Sequence, residues 1–241
     1  MSQTQALLSS VFGFSAFRPG QEEIVDAVTA GQNVLAIMPT GGGKSLCFQL
    51  PALVRDGLTI VISPLIALMR DQVQALKAVG VEAGALTSGN TDEETDAVLA
   101  ALSEGRLKLL YMAPERLASG GTLPLLRRSN VSMIAVDEAH CVSQWGHDFR
   151  PDYLRIGDLR RALDVPLCAF TATADEETRG EIVRRLFDDA TPEIFLRGFD
   201  RPNIHLAFAV KDSPRAQILN FAKARKGQSG IVYCGTRAKT E

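Results

Sequence analysis

Two stretches of this chain combine residue types that handle phosphate and water. The first is Met-Pro-Thr-Gly-Gly-Gly-Lys-Ser, residues 38–45. Gly41, Gly42 and Gly43 let successive backbone N–H groups curl around an anion. A helix opening directly behind them adds a dipole that favours the same charge. Lys44 would reach the outer phosphates of a nucleotide, with Thr40 among the phosphate contacts. The Ser45 hydroxyl is a hard oxygen ligand suited to Mg2+. Met38 stands where the general phosphate-loop pattern has its first glycine.

The second stretch is Asp137-Glu138, which ends the apolar run 131–136. Asp137 at the mouth of a buried strand suits Mg2+, and Glu138 is placed to orient and deprotonate an attacking water. A glycine-rich turn and a pair of helix-capping carboxylates are the plain alternatives. Two such stretches in one chain, each behind an apolar run, argue against both. A third stretch, 12–25, offers Phe14, Arg18 and Gln21. A glutamine amide donates and accepts at once, as an adenine edge requires. Phe14 and Arg18 could sandwich the base. An ordinary amphipathic helix start accounts for these three residues equally well.

These groups need a scaffold, and the hydrophobic pattern supplies one. Apolar, β-branched runs at 33–39, 58–63, 107–112, 131–137 and 166–172 read as buried parallel strands. Amphipathic segments at 64–79 and 91–104 lie between them, and capping-box signals at 91–94 and 173–176 open helices. The alternation predicts an α/β fold, a parallel sheet with helices on both faces. Residues 1–197 form one domain on this reading and 198–203 a linker. Residues 204–241 begin a second βαβ series, with strands at Ile204–Val210 and Gly230–Cys234 around a helix near 214–226.

Hydrophobic content of 46% with 22% charged is ordinary for a globular protein. The net charge of −2 does not by itself mark a nucleic-acid binder, but residues 198–241 carry +5 of charge and residues 1–197 carry −7. No apolar run is long enough to span a membrane and no secretory signal is evident. Cys47, Cys141, Cys168 and Cys234 are scattered, as expected of reduced thiols in a cytoplasmic protein rather than a zinc site.

Six motifs in order, FRPGQ, MPTGGGKS, SPLIALMRDQV, APERL, DEAHCVSQWGHDFRP and FTATA, together resemble the RecQ family of superfamily 2 DNA helicases, from about residue 7 to residue 239. The resemblance implies a RecA-like lobe with ATP and Mg2+ at its edge, followed by the start of a second RecA-like lobe. It implies that the 63–73 segment lines the DNA path, through Ser63, Pro64 and Arg70. It implies that Thr171 and Thr173 couple hydrolysis to strand separation, although the same residues could simply end a strand and cap the next helix. The segment after DEAH becomes a loop binding single-stranded DNA. Trp145, Phe149 and Arg150 are its expected DNA contacts, and His140, Gln144 and His147 its expected couplers. A buried anchoring role for Trp145 is the alternative.

The family's later motifs, including the arginine that faces the γ-phosphate, are not found within residue 241. The expectation is therefore an ATP-dependent 3′→5′ DNA helicase, acting on single-stranded and forked DNA in the bacterial cytoplasm or nucleoid. This chain is expected to be its N-terminal portion. A nucleotide- or DNA-binding fragment without unwinding activity, or a DEAH-type RNA helicase, are the competing readings.

Overall fold

The computed structural model describes residues 2–144, 148–188, 190–198 and 204–236. They fall into two compact units, 1–199 and 200–241. The first is built on seven parallel strands: β1 Val34–Ile37, β2 Leu58–Ile62, β3 Ala83–Leu86, β4 Leu109–Met112, β5 Val131–Val136, β6 Leu167–Thr171 and β7 Glu193–Leu196. Their order across the sheet is β3-β4-β2-β5-β6-β1-β7.

Strand periodicity sorts the core into two layers. Val34 and Ala36 of β1 join one apolar cluster, and Leu35 and Ile37 join the other. The first layer is covered by α1 Gln3–Ser10, α2 Gln21–Thr29, α3 Leu46–Val54 and α4 Ile66–Ala78. The second is covered by α5 Asp92–Ser103, α6 Thr122–Arg127, α7 Arg155–Leu163 and α8 Glu176–Ile182. This is the α/β arrangement, a parallel sheet with helices on both faces, that the alternating pattern predicts.

Five of the seven strands stand where the apolar runs place them. The sequence did not signal β3 or β7. β3 is Ala-Gly-Ala-Leu, poor in β-branched residues. Gly84 is needed there because a Cβ would come within 3.0 Å of Val98 and 3.4 Å of Leu107. β7 lies at the sheet edge, pairs only with β1, and is largely exposed. The Thr91–Glu94 capping box forms as expected. At 173–176 the expectation needs correcting: Asp175, not Thr173, caps α8, accepting from the Thr178 N–H at 2.8 Å. A carboxylate one residue from the first turn reaches that N–H directly.

In the second unit the helix appears as α9 Pro214–Lys223. The strands expected at 204–210 and 230–234 do not form among the described residues. Leu206, Phe208 and Val210 keep the alternating spacing but are 74%, 94% and 88% exposed. Period-two patterning prepares a face for burial; a strand also needs a neighbour to take its backbone hydrogen bonds.

Candidate functional site: a phosphate loop beside an acidic strand end

Parallel pairing brings the chemistry-bearing segments to one edge of the sheet. β6 lies between β1 and β5, with Ile37 level with Thr171 and Val136 level with Ala169. The carboxyl ends of β1, β6 and β5 therefore present residues 38–45, 171–173 and 137–140 side by side. β2 adds Ser63 and Pro64, since Ile62 is level with Val136. Crevices at the carboxyl ends of parallel strands are where open α/β sheets bind ligands.

The loop after β1 is shaped for an anion. Gly41 and Gly43 have φ of 79° and 83°, a region that strongly favours glycine. Among the described residues no protein acceptor receives the N–H of Gly41, Gly43, Lys44 or Ser45. Their carbonyls face the other way and are held. Arg18 donates to the Gly41 oxygen. Gln21 donates to the Gly42 and Gly43 oxygens at 3.3 and 3.2 Å. Lys44 Nζ rests 3.4 Å from the Met38 oxygen.

Gln21 is only 2% exposed, and its Oε1 accepts from the Arg18 N–H at 2.7 Å. Both ends of its amide are thus occupied by protein. The adenine reader expected from the sequence is here a clamp on the phosphate loop, and reading a base would require exchanging these bonds. Phe14 is half exposed. Arg18 is turned onto the loop by its bond to the Gly41 oxygen.

At the end of β5, Asp137 is 5% exposed. Burial, and next the neighbouring Glu138 carboxylate, push its carboxyl up to about 6 from an ordinary value of 3.8. The Glu138 N–H, at 3.0 Å, and the Lys44 ammonium act the other way. A buried carboxylate beside a second one favours a cation. Its oxygens and the Ser45 hydroxyl are each donors of the kind Mg2+ takes. Among the described residues no group of three or more His, Cys, Asp or Glu forms a protein-only cage. Two such oxygen donors fit an ion whose remaining ligands come from elsewhere.

The raised pKa has a consequence for stability. Asp137 contributes fully below pH 3.8, and that contribution is lost as pH rises through about 6. Asp137→Asn should therefore raise the melting temperature of the nucleotide-free chain at pH 7.5, by the equivalent of about 2–4 kcal/mol. The advantage should disappear near pH 4. Thermal denaturation across that range checks this, and a lower melting temperature for the variant at pH 7.5 would contradict it.

Glu138 takes a left-handed conformation, φ 48°, which is uncommon outside glycine and characteristic of strained functional turns. The turn sets its carboxylate beside His140, with Oε2 3.3 Å from Nδ1. The same Nδ1 lies 2.9 Å from the Thr171 hydroxyl. Thr171 donates its one proton to the Thr173 oxygen at 3.0 Å. It therefore accepts from His140, and Nδ1 carries the imidazole proton. Thr171 is fully buried and Thr173 exposed. The acidic strand end and the Thr171–Thr173 turn are thus joined through one histidine.

Other expected residues sit less uniformly. Ser63 is 2% exposed and its hydroxyl has no partner among the described atoms, so its side chain does not face a strand in this state. Arg70 is exposed and donates to the Gly89 oxygen. Arg150 reaches the Pro64 oxygen at 3.4 Å and Glu115 at 3.9 Å, drawing the far end of the aromatic segment toward β2. Gln144 is exposed and Phe149 partly buried. Trp145 and His147 lie outside the described residues.

Two buried residues with no signal in the sequence hold segments that flank the site. The Tyr153 hydroxyl, fully buried, donates to the Asp137 carbonyl at 3.0 Å. Glu181 of α8 accepts from the Ser143 hydroxyl at 2.8 Å and the Gln144 N–H at 2.9 Å.

Comparison with known proteins agrees with this geometry. Residues 18–181 match the DEAD/DEAH box helicase family. Over 237 residues the chain is 49% identical to ATP-dependent DNA helicase RecQ of Haemophilus influenzae, covering 98% of the chain and 38% of that protein. Over 244 residues it is 43% identical to ATP-dependent DNA helicase RecQ of Bacillus subtilis, covering 100% and 41%. The chain thus spans less than half the length of these relatives.

Among solved structures, the DUF1998 helicase MrfA superimposes with a TM-score of 0.71 at 19% identity, covering 100% of the chain and 40% of that one. The helicase domain of Pyrococcus furiosus Hef gives 0.58 at 24%, covering 77% and 39%. At these identities the likeness is one of fold.

Proposed function

The chain belongs to the DEAD/DEAH box helicase family, and from that premise we propose that it is the ATP-binding portion of a RecQ-type, 3′→5′ ATP-dependent DNA helicase. Residues 1–197 serve as the nucleotide-binding lobe, 198–203 as a linker and 204–241 as the start of a second RecA-like lobe. The substrate class, DNA rather than RNA, rests on the identity to relatives named as RecQ DNA helicases. The observation that carries the coupling is the hydrogen bond from His140 to Thr171, with Glu138 on the same ring nitrogen.

The unoccupied N–H groups of Gly41, Gly43, Lys44 and Ser45 receive phosphate oxygens, and Lys44 leaves the Met38 carbonyl for the outer phosphates. Ser45 and Asp137 would hold Mg2+, which would supply charge neutralisation on the phosphates. Glu138 orients the attacking water and accepts its proton. Loss of the γ-phosphate changes what Glu138 faces, and His140 passes the change to Thr171. Through the segment beginning at Gln144 it also reaches the residues that grip single-stranded DNA: Trp145, Phe149 and Arg150. Stacking on such aromatics is worth about 1–3 kcal/mol per base and tolerates any sequence.

The protein works on single-stranded and forked DNA in the bacterial cytoplasm or nucleoid. Among the described residues no helix is long and apolar enough to cross a membrane. Strand separation on matched DNA and RNA forks tests the proposal, with ATP-dependent opening of the DNA fork as the expected result.

A further inference from the structure

Glu181 stands out among the buried polar groups because the chemistry at Asp137 and Glu138 does not use it. It lies in the last turn of α8, is 5% exposed, and faces an otherwise apolar layer. A buried carboxylate is costly unless donors surround it. Here Oε2 accepts both the Ser143 hydroxyl at 2.8 Å and the Gln144 N–H at 2.9 Å, and Oε1 faces Arg185 at 4.0 Å. All three are donors, as an acceptor-only group requires. Ser143 and Gln144 are the two residues immediately before Trp145.

The element carrying Glu181 is itself held firmly. α8 opens at Asp175, two residues beyond Thr173, so it follows directly on the turn that His140 touches. Beyond Ile182 the helix widens into a π-helical turn, Val183–Phe187. There Gly157 of α7 packs so closely against the Arg185 carbonyl that a Cβ would not fit. Arg160 donates to the Phe187 oxygen at 3.1 Å. α8 therefore runs from the end of the Thr171–Thr173 turn to the turn packed against α7, with Glu181 between them.

We propose that Glu181 is a positioning residue that ties the root of the DNA-gripping segment to α8, so that the Thr171–Thr173 turn and that segment move together. This rests on the reading that the segment after Gln144 binds single-stranded DNA. A role confined to stability would lower the melting temperature and leave the response to DNA unchanged. A positioning role moves the response to DNA while hydrolysis without DNA stays where it was.

The test is ATP hydrolysis by the intact gene product, titrated with oligo-dT, for wild type, Glu181→Ala, Glu181→Gln and Ser143→Ala. Glu181→Ala should raise the half-saturating DNA concentration by about tenfold or more, as loss of hydrogen bonds to a charged group does. Its DNA-free rate should match wild type. Glu181→Gln keeps an acceptor oxygen and should recover most of the difference. Ser143→Ala removes one of the two bonds from the opposite side without emptying space in α8, so it should give a smaller shift. Combined with Glu181→Ala its effect should be less than additive.

If Glu181→Ala does not fold, Ser143→Ala decides alone. A wild-type half-saturation for Ser143→Ala in that case, or for Glu181→Ala when it folds, would overturn the proposal. A wild-type protein that shows no DNA stimulation would instead overturn the functional reading beneath it.

Discussion

Glu138→Gln should bind ATP as wild type does and hydrolyse it about 10²–10⁴ times more slowly, the usual cost of losing a general base. The substitution is nearly isosteric, so the left-handed turn at φ 48° and the hydrogen bond from its N–H to Asp137 should survive. Removing the Glu138 charge also relieves Asp137 of a like-charged neighbour, the second cause of its raised pKa. The folded chain should therefore be no less stable than wild type. Nucleotide titration with single-turnover cleavage in the intact gene product separates the two effects. Equal cleavage rates would remove Glu138 from the chemistry.

Lys44→Ala should act on the other step. In the nucleotide-free loop Lys44 makes a 3.4 Å contact to the Met38 carbonyl and, as the least of the effects on that carboxyl, attracts Asp137, so the substitution removes little from the empty structure. With nucleotide bound it would remove a charged donor to phosphate, an interaction worth about 1.5–3 kcal/mol. ATP affinity should fall about 10- to 100-fold and turnover should cease, while the melting temperature without nucleotide stays close to wild type. A variant that binds ATP normally would mean that the backbone N–H groups of the loop hold the phosphates unaided.

The division between what the sequence announces and what it hides follows from the range of the interactions. The phosphate loop, the acidic strand end and five strands are local patterns, each complete within a few residues. The capping box at Thr91–Glu94 is local in the same sense and forms as written. β3 escaped notice because a close-packed strand of Ala and Gly carries no β-branched signature, and β7 because it is an exposed edge.

The clamp of Gln21 on Gly42 and Gly43 joins residues 21 and 22 positions apart. The Tyr153 bond to the Asp137 carbonyl spans 16 positions, and the Ser143–Glu181 bond spans 38. Such contacts come into being only when the sheet order is fixed, and no spacing rule exposes them. The alternating run 204–210 errs in the opposite direction: its pattern is a strand's, but pairing, which no pattern contains, is what makes one.

These residues matter to function only if hydrolysis at Glu138 is transmitted to a DNA strand. The most direct measurement is unwinding of forked duplexes by the intact gene product, with ATP and Mg2+, comparing a DNA fork with a 3′ tail, one with a 5′ tail and an RNA fork of the same sequence. The account predicts ATP-dependent separation of the 3′-tailed DNA fork, little on the others, and none with Glu138→Gln. Preferential opening of the RNA fork, or unwinding that persists in Glu138→Gln, would contradict it.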